Sequence, residues 1–286
     1  MNSMVSSRAL IILSVFVHLL LYSCVLTAGA EEPKAPEESA PKLTATVGAD
    51  VLSQYIFRGV ALSNDSAVIQ PSVTVAFAGF ALNMWGNFDT DQRNRNPNLA
   101  AFVKRNGKPS WNETDFTFSY TREILKDFSL TGGTIYYILN NARFNAHEFY
   151  LGASYNLPWF TVAFTSYREI SHTPGWWFQL DLTKSIPLPI ICEGTSLDLG
   201  ATLGYQIFND DDTTLDLAGR TGDYSEFHSA TLNAGLKIPV WKTVTVTPKL
   251  GVALPLTGAS SRFIEGNSFD REDTHVYGGI NIAATF

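Results

Sequence analysis

The chain has little of what most stable exported folds lean on. It holds two cysteines, Cys24 and Cys192. If an N-terminal leader is removed only Cys192 stays, so the fold must stand without an internal disulfide. Past residue 22 no apolar run reaches the length of a membrane helix, which excludes a helical membrane protein. It does not exclude a barrel, whose walls alternate and average out; the mean hydropathy is +0.02. There is no basic excess either. Lys and Arg number 20 against 27 Asp and Glu, a net charge of −7. Nucleic acid is therefore not an expected partner.

What is present begins with an export signal. Arg8 supplies a positive start, residues 9–22 an apolar stretch, and Ala28-Gly29-Ala30 a small-residue cleavage site. Residues 1–30 read as a cleaved signal peptide; Cys24 leaves a lipoprotein signal as the alternative. Residues 31–42, "EEPKAPEESAPK", have almost nothing to bury and read as a disordered spacer. The remainder, 43–286, is expected to form one domain.

Its dominant pattern has period two. "LTATVGADV" sets Leu43, Ala45, Val47, Ala49 and Val51 against Thr44, Thr46, Gly48 and Asp50. "IQPSVTVAF" and the closing "HVYGGINIAATF" repeat it. Such alternation marks strands with one apolar and one polar face. About twelve such segments follow one another, beginning near Leu43, Ala67, Phe80, Glu113, Phe128, His147, Phe160, Gly175, Leu197, Phe227, Val244 and Thr274. Each is long enough for the roughly 9–11 tilted residues that cross a bilayer. Tight links such as 78–79 and 156–159 alternate with long polar ones such as 90–112, 208–226 and 255–273. The fold class is therefore all-β: an antiparallel up-and-down transmembrane barrel with tight turns on the periplasmic rim. Aromatics near the tight turns (Phe77, Phe80, Tyr120, Phe128, Tyr155, Phe160, Trp241, Phe286) and near the loop ends (Tyr55, Phe57, Phe88, Tyr136, Phe149, Trp176, Tyr205) form two belts. Phe286 also supplies a terminal aromatic of the kind barrel assembly machinery reads. Other expected partners are outer-membrane lipid, lipopolysaccharide and small hydrophilic solutes.

"SQYIFRGVALSND", with "IQPSVTV", "MWGNFD", "ETDFTFSY" and "HEFYLGASY", resembles TorF-type porins, a family of exported bacterial outer-membrane barrels with a Tyr-x-Phe-Arg-Gly motif. The resemblance implies a barrel and no catalytic residues. Parity assigns Tyr55 and Phe57 to the outer face and Arg58 to the lumen. The same parity turns Trp85, Asp89, Glu113, Asp115, Tyr137, Glu148, Tyr150, Tyr167, Glu169 and Trp177 inward as pore-lining candidates. Carboxylates so placed favour cations; a structural network filling a narrow barrel is the competing reading. The basic loop "DQRNRNPNLAAFVKRNGKPSW" offers Arg93, Arg95, Lys104, Arg105 and Lys108 as a constriction. Asp210, Asp211, Asp212 and Asp216 form an acidic loop that lacks the spacing of a calcium loop. His147 and Ser166, with His228, share outward parity, but no nucleophile motif surrounds Ser166. The expected function is a porin for small hydrophilic solutes or ions, with no cofactor. A structural or adhesive barrel is the alternative, and a lipid-acting enzyme a remoter one.

Overall fold

The computed structural model describes residues 41–97, 107–140, 145–171, 174–208 and 224–286. The signal and spacer expected over residues 1–40 lie outside these. Twelve antiparallel strands close into a barrel: β1 (Thr44–Leu52), β4 (Val68–Phe77), β5 (Phe80–Asp89), β6 (Ser110–Leu125), β7 (Phe128–Leu139), β8 (Ala146–Asn156), β9 (Thr161–Glu169), β10 (Gly175–Pro187), β11 (Ser196–Phe208), β12 (Tyr224–Pro239), β13 (Val244–Pro255) and β14 (His275–Thr285). Each pairs with its sequence neighbour in the wall, and β14 returns to β1, setting Val47 opposite Ala284 and Asp50 opposite Asn281. The N–H of Ala45 donates to the Phe286 carbonyl at 3.1 Å and receives the reciprocal bond at 2.9 Å. Among the described residues, closure leaves no strand of the barrel wall with an unpaired edge.

Strand starts follow the alternation closely except at two places. β6 begins at Ser110 and β12 at Tyr224, each ahead of the expected start. Both strands carry an extra residue, because the register against the neighbouring strand shifts at Asn87/Phe88 and at Gly204/Tyr205. One extra residue breaks period two, so the alternation is readable only beyond the bulge.

The outer wall is apolar. Val47, Val73, Leu82, Phe118, Leu151, Phe164, Leu203, Leu232 and Ile282 all stand exposed on it. An aromatic girdle flanks the tight turns (Phe77, Phe80, Tyr120, Tyr155, Trp241, Phe286), and another flanks the opposite rim (Tyr136, Phe149, Trp176, Phe227). The lumen is polar. Lys249 Nζ meets Asp50 Oδ1 at 2.6 Å, Asn83 donates to Thr74 at 2.8 Å, and Asp181 accepts from Thr202 at 2.6 Å and Gln179 at 2.8 Å.

One expectation from parity fails. The chain leaves the wall after Leu52, and residues 53–67 fold inward rather than continuing the strand. There they form a small hairpin, β2 (Ile56–Phe57) with β3 (Val60–Ala61). Its two turn residues, Arg58 and Gly59, both have positive φ, 50° and 91°. A two-residue turn of that sense matches the twist of the strands it joins. Tyr55 and Phe57 therefore lie inside the barrel and not in the outer belt; Tyr55 is 8% exposed.

A second segment enters from the same rim. Helix α1 (Gly258–Asn267) starts at a capping box, in which the Ser260 N–H donates to Thr257 Oγ1 at 3.1 Å and the Thr257 N–H donates to Ser260 Oγ at 2.9 Å. The segments interlock. Phe269 N–H donates to the Ala61 carbonyl at 2.9 Å, and Ser229 Oγ of β12 donates to the Arg58 carbonyl at 3.3 Å. Asn96 donates to the carbonyls of Gly266 and Ser268 at 2.7 and 3.0 Å. Three loop segments thus fill much of the mouth at the long-loop end.

Candidate functional site at the barrel mouth

The centre of the site is Arg58. Its guanidinium makes two bonds to Glu148 of β8, at 2.7 and 2.8 Å, so the hairpin tip is tied across the lumen to the facing wall. The rings of Phe57, Tyr167 and Trp177 surround the same group, with centroids 4.8, 5.1 and 5.2 Å from it. Burial works against its charge, but Glu148, helped by Tyr137 and Tyr167, outweighs burial and raises the Arg58 pKa above the usual value. Tyr137 donates to the second Glu148 oxygen at 2.9 Å. Gly59 is required at the tip: a Cβ there would sit 2.9 Å from Ser229 Cβ and 3.1 Å from Ile264 Cδ1, on a φ that side chains disfavour. Gly204 is required on the wall, where it leaves room for the Trp177 ring.

Two cavities lie on either side of the hairpin. The outer one, of ≈ 330 Å³, is bounded by Phe57, Arg58, Glu113, Glu148, Glu169, Trp177, His228 and Phe263 among others. The inner one, of ≈ 310 Å³, is bounded by Asn83, Trp85, Asp115, Thr117 and Ile135. Tyr55, Phe57 and Tyr137 line both. These three rings border both spaces. Burial, and then the carboxylates of Glu113 and Asp115, hold the Tyr55 hydroxyl well above its ordinary pKa and so protonated.

The structure turns the strand candidates inward and divides them. Glu113, Glu148, Glu169, Tyr137 and Trp177 meet at the outer cavity, with Asp115 and Trp85 at the inner one. Tyr150 packs on Tyr167, with centroids 5.4 Å apart. Asp89 is buried and accepts from Ser66 at 2.6 Å, and neither of these two cavities reaches it. The basic loop does not meet this group where it is described. Arg93 pairs with Asp91 at 3.0 Å and Arg95 with Asp65 at 3.8 Å, both exposed; Lys108 is also exposed. Lys104 and Arg105 lie outside the described residues, as do Asp210, Asp211, Asp212 and Asp216. Among the described residues of that loop, the buried side chains are instead Gln92, Asn94 and Asn96.

Parity missed His228, Phe263 and Phe269. His228 is the extra residue of the β12 bulge, which swings it from the outer face to the lumen beside Tyr224 (2.7 Å), Trp177 and Phe263. Phe263 rides on α1, whose sequence signal was the Thr257–Ser260 capping pair. Among the described residues no group of His, Cys, Asp or Glu is arranged to hold a metal.

Fold and mouth together define a closed antiparallel β-barrel whose long-loop end is occupied by segments of its own chain. The chain belongs to the Gcw_chp family, bacterial proteins of unknown function, whose model matches residues 34–216. No curated protein sequence matches it. Solved structures that share its fold include the KdgM porin, at TM-score 0.50 and 13% identity over 84% of this chain and 99% of that one. The NanC porin aligns at TM-score 0.50 and 9% identity, over 85% and 99%.

Proposed function

We propose that this protein is an outer-membrane channel that passes small hydrophilic solutes or ions through a lumen narrowed at its outer mouth. The carrying observation is the pair of cavities, ≈ 330 and ≈ 310 Å³, that share Tyr55, Phe57 and Tyr137 as lining residues along the lumen. The exposed apolar wall between two aromatic girdles supports placement in a bilayer. The short-turn rim, with Phe286, then faces the periplasm, and the interlocked loops face the outside, against lipopolysaccharide. Delivery there needs export and barrel assembly machinery, for which residues 1–30 and Phe286 are the signals. The TorF-type resemblance at residues 55–59 supports the same reading, and so does the porin fold of the KdgM and NanC neighbours.

A structural, non-conducting barrel is the second reading. The bidentate Arg58–Glu148 pair and the three interlocked segments favour it. Catalysis has less behind it: Ser166 Oγ donates to the Leu151 carbonyl at 3.3 Å, while His147 Nε2 lies 2.7 Å from Thr134 Oγ1. Refolded protein in a planar bilayer under a salt gradient separates the two main readings. Discrete single-channel conductance is expected, and its reversal potential reads out the ion preference. A silent bilayer from correctly folded protein overturns the channel reading.

A further inference from the structure

The outer cavity is walled by apolar side chains and by polar ones that already have partners. At ≈ 330 Å³ it stands at the small end of ligand sites, with room for one small molecule. The rings of Phe57, Trp177, Phe208, Phe263 and Phe269 line it, with Leu139. Phe263 of α1 stacks on Phe208 of β11, with centroids 5.9 Å apart. The polar lining is taken up by the protein itself. Arg58 and Glu148 hold each other, and Tyr137 donates to Glu148. Glu113 accepts from the Tyr55 hydroxyl, and Glu169 from the Ser171 N–H at 2.8 Å. Gln206 donates to the Trp176 carbonyl at 3.0 Å, and Asn267 to the Phe263 carbonyl at 2.8 Å. Asn112 accepts from Asn87 at 2.8 Å, and His228 is bonded to Tyr224. Among the described lining residues, none holds a buried side-chain polar atom without a hydrogen-bond partner.

We propose that this cavity binds one small neutral aromatic molecule. A charged ligand entering it gives up its water and meets groups already engaged with one another. A sugar meets the same difficulty, because each of its hydroxyls needs a partner that the wall can supply only by breaking a bond of its own. An apolar ring makes no such demand. It gains from leaving water and from packing edge-on or offset against the rings of the wall. The walls come from the hairpin, from α1 and from the barrel strands together, so the site exists only while both segments are docked. A molecule bound there stabilises the docked mouth by mass action. Hydrophilic solutes gain little from these walls, so the pocket's ligand differs in chemistry from the solutes of the proposed channel.

This inference goes beyond the channel reading, and its test does not need conduction. Folded barrel in detergent is titrated with benzyl alcohol, benzylamine hydrochloride, sodium benzoate and glucose. Tryptophan fluorescence and calorimetric heat are followed, with protein-free micelles as the blank. Saturable binding of benzyl alcohol is expected. Benzylamine and benzoate carry the same ring with a charge and should bind at least about tenfold more weakly, with glucose weaker still. Ala146→Trp places a ring from β8 in the space and removes no side-chain hydrogen bond, so it should abolish benzyl alcohol binding. Heat-modifiable migration checks the folded state. If the variant misfolds, the wild-type ranking of the four probes alone decides. Benzylamine, benzoate or glucose binding as tightly as benzyl alcohol overturns the proposal. So does the lack of saturable benzyl alcohol binding, or unchanged binding in folded Ala146→Trp. A silent bilayer with intact benzyl alcohol binding would overturn the channel and leave this site standing; discrete conductance without that binding would do the reverse.

Discussion

At the scale of single residues, one ion pair governs the mouth. Arg58 and Glu148 are both nearly removed from water, and their geometry is bidentate. Removing one member of such a pair leaves the other charge buried alone, a loss of roughly 3–5 kcal/mol, whereas removing both costs far less. Arg58→Gln is therefore expected to undock the hairpin and raise single-channel conductance. The double variant Arg58→Gln with Glu148→Gln should fall back toward wild type. Conductance and protease sensitivity of residues 53–67 measure this. A larger effect in the double variant would mean that the pair does not hold the hairpin. Arg58 was legible as inward-facing, yet its neighbours were not. Tyr55 and Phe57 obey outward parity only if the strand continues, and the chain instead leaves the wall at Leu52. Alternation carries no information about where a strand stops when the next residues fold onto the inside of the same barrel.

At the scale of elements, the two inward segments are clasped by a buried carboxylate. Asp270, just past α1, accepts from Gln54 of the first segment and lies 3.3 Å from His275 Nε2. Burial pushes its pKa up, but hydrogen bonds from His275, the Glu272 N–H and Gln54 outweigh burial and hold it below the usual value. A depressed carboxyl stabilises the folded form above its unfolded pKa of about 3.9, and that contribution is lost as pH falls through the lower folded value. The clasp should thus be intact from neutrality to about pH 4 and loosen below it. Conductance measured from pH 7 down to pH 3 should rise only at the acid end, and Asp270→Asn should remove this component. The strands themselves were readable, because a wall with lipid-compatible residues on one side must alternate. Helix α1 was not, since ten residues within a long polar link carry only the Thr257–Ser260 cap as a signal. The bulges that turn His228 inward and add Asn112 to β6 leave no period of their own.

At the scale of the whole molecule, the proposed orientation rests on the alternation of loop lengths. An epitope inserted within 209–223 should be labelled on intact cells, and one in the 157–160 turn only after the outer membrane is permeabilised. The reverse pattern would invert the barrel. Deleting Phe286, or Phe286→Asp, should lower the yield of folded barrel in the membrane, read as heat-modifiable material; unchanged yield would remove its assumed part in assembly.

The wall closes where β1 meets β14, and there Thr46 Oγ1 lies 3.1 Å from Thr285 Oγ1, across 239 residues of sequence. Every other wall pairing is between consecutive strands of the wall, with the β2–β3 hairpin inserted between β1 and β4. This one contact order is maximal, and loop closure over such a span is slow to be repaid. Until the last strand arrives, β1 presents a bare row of donors and acceptors, an open template for a strand from another copy. Removing residues from the C-terminus should therefore act as a threshold and not as a gradient: a chain missing β14 keeps two sticky edges and aggregates, however complete its other eleven strands are.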